Sequence, residues 1–214
     1  MESPVLELLQ LDDVPVSDTR SLGQPAHQRA LRFANAKDRA EFIGGRVALQ
    51  RFAASLLEAE PSHLIPNYHC PQCGPGQDHG RPGFLLDGGP APLLVSASRA
   101  SGWVLLAGVV HPTDAFRLGV DLEAIDGVGF DGFDDVVLTE SEKRFLASFP
   151  EQDQATLRAR LWARKEAWLK MTGEGLRHNP AELDVLDRPG LRDVTGRELP
   201  AGQPKGLVAA LALG

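Results

Sequence analysis

The sequence predicts an α+β protein built from two lobes of similar size. Apolar residues at helical spacing in residues 25–58 precede strand-like runs that end near residue 110. The same order, helices and then strands, returns in residues 115–214. A chain of 214 residues, 43% of them hydrophobic, can bury a core in each half. We therefore predict an N-terminal lobe of residues 1–112 and a C-terminal lobe of residues 113–214.

In the N-terminal half, residues 1–13 read as a short amphipathic strand. The helical pattern of residues 25–58 weakens near residues 35–38, which predicts two helices. Residues 93–100 and 102–110 predict two strands, and the second is a continuous apolar run typical of a buried strand.

In the C-terminal half, residues 116–124 predict a strand. Thr139 and Glu142 have the spacing of a capping box, which predicts a helix start there and an end at Pro150. A second helix is predicted over residues 154–171, ending at Gly173. Strand-like pieces follow at residues 183–186, 191–194 and 206–213.

The net charge of −7 is unevenly distributed. Residues 27–51 contain six basic and two acidic side chains, whereas residues 119–142 contain eight acids and no base. An acidic protein with one basic segment does not suit general nucleic-acid binding. It suits a site for a small polyanion and a metal ion, although two solvated faces of opposite sign remain an alternative.

Targeting signals are not evident in the sequence. The N-terminus is acidic and lacks the basic flank and apolar run of a signal peptide. No stretch approaches the roughly 20 apolar residues of a membrane span. Two cysteines three positions apart do not make a disulfide framework, so we expect a cytoplasmic protein without a membrane partner.

Acidic and basic residues at regular spacing mark a candidate site. Strand alternation puts Asp121 and Glu123 on one side, and helical spacing puts Trp162, Glu166 and Lys170 on one face. If the three carboxylates converge, they form the oxygen-rich site that Mg²⁺ takes, with lysines beside it for a phosphate. Alternatively, Asp121 and Glu123 lie on the solvent-exposed face of a sheet, and Glu166 and Lys170 form an exposed ion pair on the helix.

These two motifs resemble a paired family signature. Residues 119–123 read GVDLE and residues 162–170 read WARKEAWLK. The surfactin-type branch of the 4′-phosphopantetheinyl transferases carries G-[IV]-D-[IVL]-E and then W-x-x-K-E-[SA]-x-x-K. The chain also resembles this family at FIGGR (42–46), HGRP (79–82), the Ser-x-Ser of residues 96–98, and GLVAA (206–210).

The resemblance implies an activity and a fold. The family moves the 4′-phosphopantetheine arm of coenzyme A to a serine of an apo acyl or peptidyl carrier protein and releases adenosine 3′,5′-bisphosphate. Its fold is a pseudo-dimer of two similar α/β lobes with coenzyme A in the cleft between them, so a monomer is expected. The implied cofactor is Mg²⁺, with Mn²⁺ left open.

The resemblance also implies roles for individual residues. Asp121, Glu123 and Glu166 would bind the metal, with Glu166 as the base for the serine hydroxyl. Lys170, assisted by Lys165, would hold the α-phosphate, and Trp162 would pack the helix. The implied coenzyme A contacts are Lys37, Arg39, Arg46, Gly80, Arg81, Pro82, Ser98, Arg99, Asp121, Lys165 and Lys170.

The sequence departs from the family at one of these contacts. Many relatives have Ser-His-Ser where this chain has Ser98-Arg99-Ala100. Arg99 is expected to replace the histidine at the 3′-phosphate through forked, charge-assisted hydrogen bonds.

The sequence gives weaker evidence for the surface that would contact the carrier protein. Four apolar residues between the two motifs fit either a docking surface or a buried helix face: Phe130, Phe133, Val136 and Val137. Since carrier proteins are acidic, three basic residues are further candidates for partner contacts: Arg158, Arg160 and Arg164.

The segment Cys70-Pro-Gln-Cys73-Gly looks like half of a zinc knuckle. His63, His69 or His79 is in principle available to complete it. The sequence holds no second CxxC, which favours a metal-free turn with two free thiols.

Two rival functions remain open at this point. A metal-dependent nuclease uses similar strand acids and helical lysines, but the overall acidity and the lack of a basic groove argue against it. A non-catalytic coenzyme A-binding protein of the same fold is disfavoured because Asp121, Glu123, Glu166 and Lys170 are all present.

Overall fold

A computed structural model describes residues 3–15, 19–70, 72–77, 79–199, 202 and 204–214. The chain divides into two compact units, each containing helices and strands. The first unit comprises Met1–Ala97 and Gly102–Ala115, and the second comprises Ser98–Ser101 and Phe116–Gly214. The chain is therefore a mixed α+β protein, as the sequence predicts.

The first unit contains two helices and most of the strands. In chain order its elements are β1 (Val5–Gln10), α1 (Gly23–Ala30), α2 (Ala36–Leu56), β2 (Ile65–Pro66), β3 (Tyr68–Cys70), β4 (Gly74–Gln77), β5 (Phe84–Leu86), β6 (Gly89–Pro90), β7 (Leu93–Ala100) and β8 (Trp103–Val110). The last three residues of β7 belong to the second unit.

The predicted helix break and the predicted buried strand are both confirmed in this unit. Asn35 caps the start of α2 by accepting a hydrogen bond from the Asp38 amide (2.7 Å), so the chain turns between α1 and α2. Strand β8 lies between β1 and β7, and its apolar residues are buried. Phe52 of α2 belongs to the same core cluster as Val104 and Leu106 of β8.

Residues 65–90, most of which fall in the stretch without a regular sequence pattern, form two small sheets. Strands β3 and β4 make an antiparallel hairpin, and β2, β5 and β6 make a second antiparallel sheet. A single bridge joins His69 to Arg81 through two backbone hydrogen bonds of 3.0 and 2.9 Å. The bridge holds the chain after β4 against the backbone of β3.

The second unit is a three-stranded sheet packed against a long helix. In chain order its elements are β9 (Leu118–Ala124), α3 (Phe133–Val137), α4 (Glu140–Ala147), α5 (Glu151–Thr172), β10 (Leu191–Val194) and β11 (Leu207–Leu213). The sheet order is β10-β11-β9 and both pairings are antiparallel. Three alanines of α5 share one buried cluster with Ala210 and Ala212 of β11: Ala159, Ala163 and Ala167.

The helix ends in this unit follow local signals in the sequence. Thr139 and Glu142 form both hydrogen bonds of the predicted capping box, so α4 begins at Glu140. Helix α5 starts three residues earlier than predicted, directly after Pro150, and ends at Gly173, whose φ is +77°.

One predicted strand is wrong. Residues 183–186 are irregular rather than extended in a sheet. Leu183 and Val185 are nevertheless buried in the same cluster as α4 and α5, so their apolar character reflects a core contact rather than strand pairing.

Among the helices that the structure describes, none has the length and apolar character needed to cross a membrane.

Candidate active site

Strand β9 carries two acidic side chains in an otherwise apolar sequence. Val120 and Leu122 are buried, and β9 pairs with β11 so that Asp121 lies opposite Ala210. Because side chains alternate along a strand, Asp121 and Glu123 share one face. Asp121 is only 2% exposed, which makes it one of the few charged residues in the core of this unit.

Helix α5 approaches β9 very closely at Gly119. A Cβ atom at this position would lie 2.0 Å from the Ala167 carbonyl oxygen and 2.6 Å from the Met171 amide nitrogen. Only glycine is compatible with this distance, since any larger residue would push the helix away from the strand. The close approach brings the α5 residues Glu166 and Lys170 near the acidic face of β9.

A short hydrogen-bond network fixes the orientation of Asp121. Lys170 Nζ lies 2.6 Å from Asp121 Oδ1 and 2.9 Å from Ser98 Oγ. The Ser98 hydroxyl in turn donates to Asp121 Oδ1 at 2.7 Å. One carboxylate oxygen therefore receives two donors, and the strand β7, the strand β9 and the helix α5 each contribute one member of the network.

The other two carboxylates in this cluster have raised pKa values. Burial, followed by the charge of Asp121, raises the pKa of Glu123 to about 8. Burial and the charge of Asp121 also raise the pKa of Glu166, while Lys170 partly opposes this shift. Three carboxylates with one ammonium are thus short of positive charge.

The donor set fits a hard divalent cation. Asp121 Oδ2 is buried and has no hydrogen-bond partner among the described residues. Glu123 supplies a donor to Asp121 only when it is itself protonated. The oxygens of Asp121, Glu123 and Glu166 do not all lie within 4.8 Å of one another, so Mg²⁺ or Mn²⁺ would have to draw the three carboxylates closer to Asp121 Oδ2.

The structure does not bring Lys165 to this cluster, which corrects its predicted catalytic and coenzyme A-binding roles. The side chain is completely buried, and its ammonium lies 2.7 Å from Glu142 Oε2. It also donates to the carbonyl oxygens of Pro180 (2.8 Å) and Leu183. All three ammonium hydrogens are used in this way, so Lys165 is a structural residue.

Glu142 is a buried residue that the sequence marks only as a helix cap. Its Oε2 accepts the Thr139 amide at 2.8 Å, and its Oε1 accepts the Val185 amide at 3.0 Å. With Lys165 it joins α4, α5 and the irregular segment before β10. Burial lowers the pKa of Lys165, and the hydrogen bond that Lys165 donates to Glu142 opposes that shift.

Trp162 packs inside the second unit, as predicted. Its ring meets that of Phe133 edge to face with a centroid distance of 6.4 Å.

The four apolar residues between the two motifs were expected to form either a docking surface or a buried helix face. Phe133 and Val137 are buried, whereas Phe130 and Val136 are 61% and 55% exposed.

The basic residues proposed for partner contacts are engaged in ion pairs. Arg158 forms a two-pronged contact with Asp134 at 2.7 and 2.8 Å. Arg160 and Arg164 both bind Asp193. These pairs leave the predicted contact with an acidic partner without structural support.

Three basic residues of the first unit have different environments. Lys37 is exposed and lies 3.8 Å from Glu41. Arg39 donates to the carbonyl oxygens of Ala30 and Phe33, which fastens the turn before α2. The Arg46 guanidinium stacks 4.0 Å above the ring of Tyr68.

Gly80, Arg81 and Pro82 follow β4 in the same unit. Gly80 has φ +90°, and a Cβ atom there would lie 2.3 Å from the His69 carbonyl oxygen. Glycine is therefore required both by the backbone conformation and by the close contact. The three residues lie on the segment that the His69–Arg81 bridge holds in place.

A basic pocket in the first unit includes Arg29 and Arg32, which lie outside the motifs that resemble the family. The pocket, of about 550 Å³, is lined by Arg29, Arg32, Phe33 and His79. Arg29 lies in the last turn of α1 and Arg32 lies two residues beyond its end, and the basic character of residues 27–51 was the available signal in the sequence. In the second unit, Arg99 is exposed beside the half-buried Ser98.

Replacing Lys165 with methionine should reduce stability, because it leaves the Glu142 carboxylate buried without its cation. We expect a loss of about 3–5 kcal/mol in the free energy of unfolding, with partial recovery in the double variant Lys165→Met/Glu142→Gln. Lys143→Met is the matched control, because Lys143 pairs with exposed acids and its replacement should leave the free energy of unfolding nearly unchanged. Equal denaturant midpoints for Lys165→Met and the unchanged protein would contradict the structural role.

The raised pKa of Glu123 predicts a pH-dependent stability in metal-free buffer. The folded protein binds this proton more tightly than the unfolded chain, so the contribution is present below pH 4.5 and is lost as the pH rises toward 8. Glu123→Gln removes that loss. The variant should therefore unfold roughly 2–4 °C higher than the unchanged protein at pH 8, a gain of about 1 kcal/mol after allowance for solvent screening.

The measurement is thermal unfolding in the presence of a chelator at both ends of this pH range. The exposed Asp131→Asn is the control and should show no such pH-dependent difference. A gain for Glu123→Gln that is the same at low and high pH would show that the carboxylate does not titrate as described.

The comparisons with known proteins agree with the location of this cluster. Residues 117–201 match the family model described as the 4′-phosphopantetheinyl transferase superfamily. A search of curated proteins found no match. The matched segment covers less than half of the chain but includes β9 and α5, with Asp121, Glu123, Glu166 and Lys170. The segment that holds the acidic cluster is thus the segment similar to the 4′-phosphopantetheinyl transferase superfamily.

Proposed function

We propose that this protein transfers the 4′-phosphopantetheine arm of coenzyme A to a serine hydroxyl of an apo acyl or peptidyl carrier protein. The products would be the holo carrier protein and adenosine 3′,5′-bisphosphate. The observation that carries the proposal is the convergence of Asp121, Glu123, Glu166 and Lys170 within the segment that matches the superfamily.

The three carboxylates would hold the divalent metal. Asp121 offers Oδ2, which has no hydrogen-bond partner among the described residues, and Glu123 and Glu166 interact with the charge of Asp121 while burial raises their pKa values. Such a cation, Mg²⁺ or Mn²⁺, would neutralise charge on the pyrophosphate of coenzyme A when bound. Oxygen ligands alone favour these hard cations over zinc.

The transfer itself exchanges one phosphorus–oxygen bond for another. The serine oxygen forms a bond to the β-phosphorus, which carries the pantetheine arm, and the bond from that phosphorus to the bridging oxygen breaks. The bridging oxygen leaves on the α-phosphate as part of adenosine 3′,5′-bisphosphate. The serine proton must be removed, and negative charge develops on the leaving oxygen.

Two residues of α5 suit these tasks. Glu166 would take the serine proton, directly or through a water molecule, since its raised pKa makes it a stronger base than an exposed carboxylate. Lys170 would stabilise the leaving oxygen. Asp121 and Ser98 occupy two of its donors in the described structure, and its third hydrogen is available for a phosphate oxygen.

The first unit offers a place for a phosphate group. Arg29 and Arg32 line one pocket with His79, and two guanidinium groups provide the forked donors that phosphates prefer. We propose that this pocket binds the 3′-phosphate of coenzyme A. Its lining residue His79 directly precedes Gly80, Arg81 and Pro82 in the sequence. Arg99 is a further candidate contact, whereas Lys37 and Arg39 have less support because an acid and two carbonyl groups engage them.

The exposed Phe130 and Val136 are the best-supported docking residues for a carrier protein. They lie between the two motifs and expose apolar surface, while their neighbours Phe133 and Val137 are buried.

Transfer is tested by incubating the purified protein with Mg²⁺, coenzyme A and a panel of apo acyl and peptidyl carrier proteins. We expect intact-mass spectrometry to show a gain of about 340 Da on a carrier, the mass expected for the phosphopantetheine arm. Adenosine 3′,5′-bisphosphate should appear in equal amount. Binding of coenzyme A without any mass gain across the panel would instead favour the non-catalytic alternative.

Substitutions in the cluster should separate its members by their effect on turnover. Asp121→Asn and Glu166→Gln should abolish transfer, because each removes a metal ligand and the second also removes the base. Lys170→Ala should slow turnover by about 10²–10³, the usual effect of removing one charge-stabilising group. Asp131→Asn, an exposed acid between the motifs, should retain full activity.

Each variant is first compared with the unchanged protein by circular dichroism and thermal unfolding. A folded Glu166→Gln variant with unchanged turnover would remove Glu166 from the proposed site. Full turnover by Lys170→Ala would remove Lys170.

A further inference from the structure

The hairpin β3–β4 places three metal-binding side chains together in the first unit. Cys70 ends β3, Cys73 lies in the turn, and His79 follows β4. Their ligand atoms all lie within 4.8 Å of one another, and they are the one such group of three among the described residues. These residues are separate from the carboxylate cluster of the second unit.

The distances and atom types suit a tetrahedral ion. Zinc bonds of about 2.3 Å to sulfur and 2.0–2.1 Å to nitrogen place neighbouring ligand atoms roughly 3.5–3.8 Å apart. The ligand atoms lie within 4.8 Å of one another, an upper bound that exceeds these distances by about 1 Å. Two sulfurs and one imidazole nitrogen select zinc over the hard cations that suit the second unit.

The backbone of the turn already prepares Cys70 as a ligand. The amides of Gln72 and Cys73 donate hydrogen bonds to its sulfur. Amide hydrogen bonds to sulfur stabilise the thiolate form, which is the form that binds metal. The side chains of Cys73 and His79 also contact this sulfur by hydrogen bonds.

The backbone also fixes His79 beside the turn. Gly80 packs against the His69 carbonyl, and Arg81 exchanges two backbone hydrogen bonds with His69. His69 itself is exposed and His63 lies outside the cluster, so of the three histidines considered from sequence the structure selects His79. The lack of a second CxxC, which favoured a metal-free turn, is offset by this third ligand.

We propose that Cys70, Cys73 and His79 bind one zinc ion, which ties the β3–β4 hairpin to the segment that begins at Gly80. Three protein ligands leave the fourth tetrahedral position to a water molecule or another small ligand. Because Cys73 is exposed, this position is open to solvent. The ion would stabilise a stretch of chain whose own strands are very short.

Zinc binding would affect the proposed transferase directly, because His79 also lines the pocket proposed for the 3′-phosphate of coenzyme A. Gly80, Arg81 and Pro82 are proposed coenzyme A contacts, so a zinc ion would hold the segment that carries them; this consequence rests on the proposed function. The zinc site itself does not, and a metal analysis fails or succeeds whether or not the protein transfers phosphopantetheine.

The first test is the metal content of the full chain, purified under reducing conditions without chelator. We expect about one zinc per chain by elemental mass spectrometry, in line with a single Cys₂His site. After removal of zinc, added Co²⁺ should give the intense thiolate-to-cobalt charge-transfer absorption. Zinc-free protein that also gives no such absorption with Co²⁺ would overturn the proposal.

The second test uses variants and thiol protection. Cys70→Ser, Cys73→Ser and His79→Gln should each lose zinc, whereas the matched control His69→Gln should keep it. Loss of zinc in His69→Gln equal to that in His79→Gln would contradict the assigned ligand set.

Protection of the thiols from alkylation is measured on the unchanged protein. This test therefore remains informative even where a substitution prevents folding. The chain has only two cysteines, so an alkylating reagent reports on this site alone. Alkylation of the unchanged protein should be slow with zinc bound and at least tenfold faster after chelation. Equal rates with and without zinc, or a Cys70–Cys73 disulfide that forms as readily with zinc as without it, would count against the site.

Discussion

The close contact between α5 and β9 is the constraint on which the second unit depends. Gly119 allows the helix backbone to touch the strand, and the alanines of α5 extend this contact over the sheet. Dispersion and burial then favour one helix position over all others. The contact serves the site as well as the core, because a helix held further away would separate Lys170 from Asp121.

The second unit contains two buried groups of charged residues. In one group the opposite charges balance, and in the other negative charge is in excess. Lys165 and Glu142 are well paired: all three ammonium hydrogens of Lys165 and both carboxylate oxygens of Glu142 have a partner. The cluster around Asp121 has three carboxylates for one ammonium and leaves an oxygen without a donor among the described residues. The first arrangement holds elements together, whereas the second is costly unless a cation is bound.

Local patterns predicted much of this structure. Strand alternation indicated that Asp121 and Glu123 share a face, and helical spacing indicated that Glu166 and Lys170 do so. The capping box at Thr139 and the end of α5 at Gly173 also follow from nearby residues. These predictions succeeded because each depends on a few residues in one element.

Other features depended on contacts between distant parts of the chain. Helix geometry alone turns Lys165 away from Glu166, since successive residues are about 100° apart, but its pairing with Glu142 depends on the packing of α5 against α4. Residues 183–186 look like a strand but fill the space beside α4 and α5. The meeting of Cys70 with His79 requires the His69–Arg81 bridge, which no local pattern indicates.

The charge count of the acidic cluster has a consequence for ligand exchange. Asp121, Glu123 and Glu166, when ionised, together with Lys170 carry a formal charge of −2, which one divalent cation cancels. The loaded cluster would then be electrically neutral and would neither repel an incoming polyanion nor hold a departing one by net charge. Release of a nucleotide product would depend on individual hydrogen bonds, such as the one that Lys170 can offer, rather than on a long-range field.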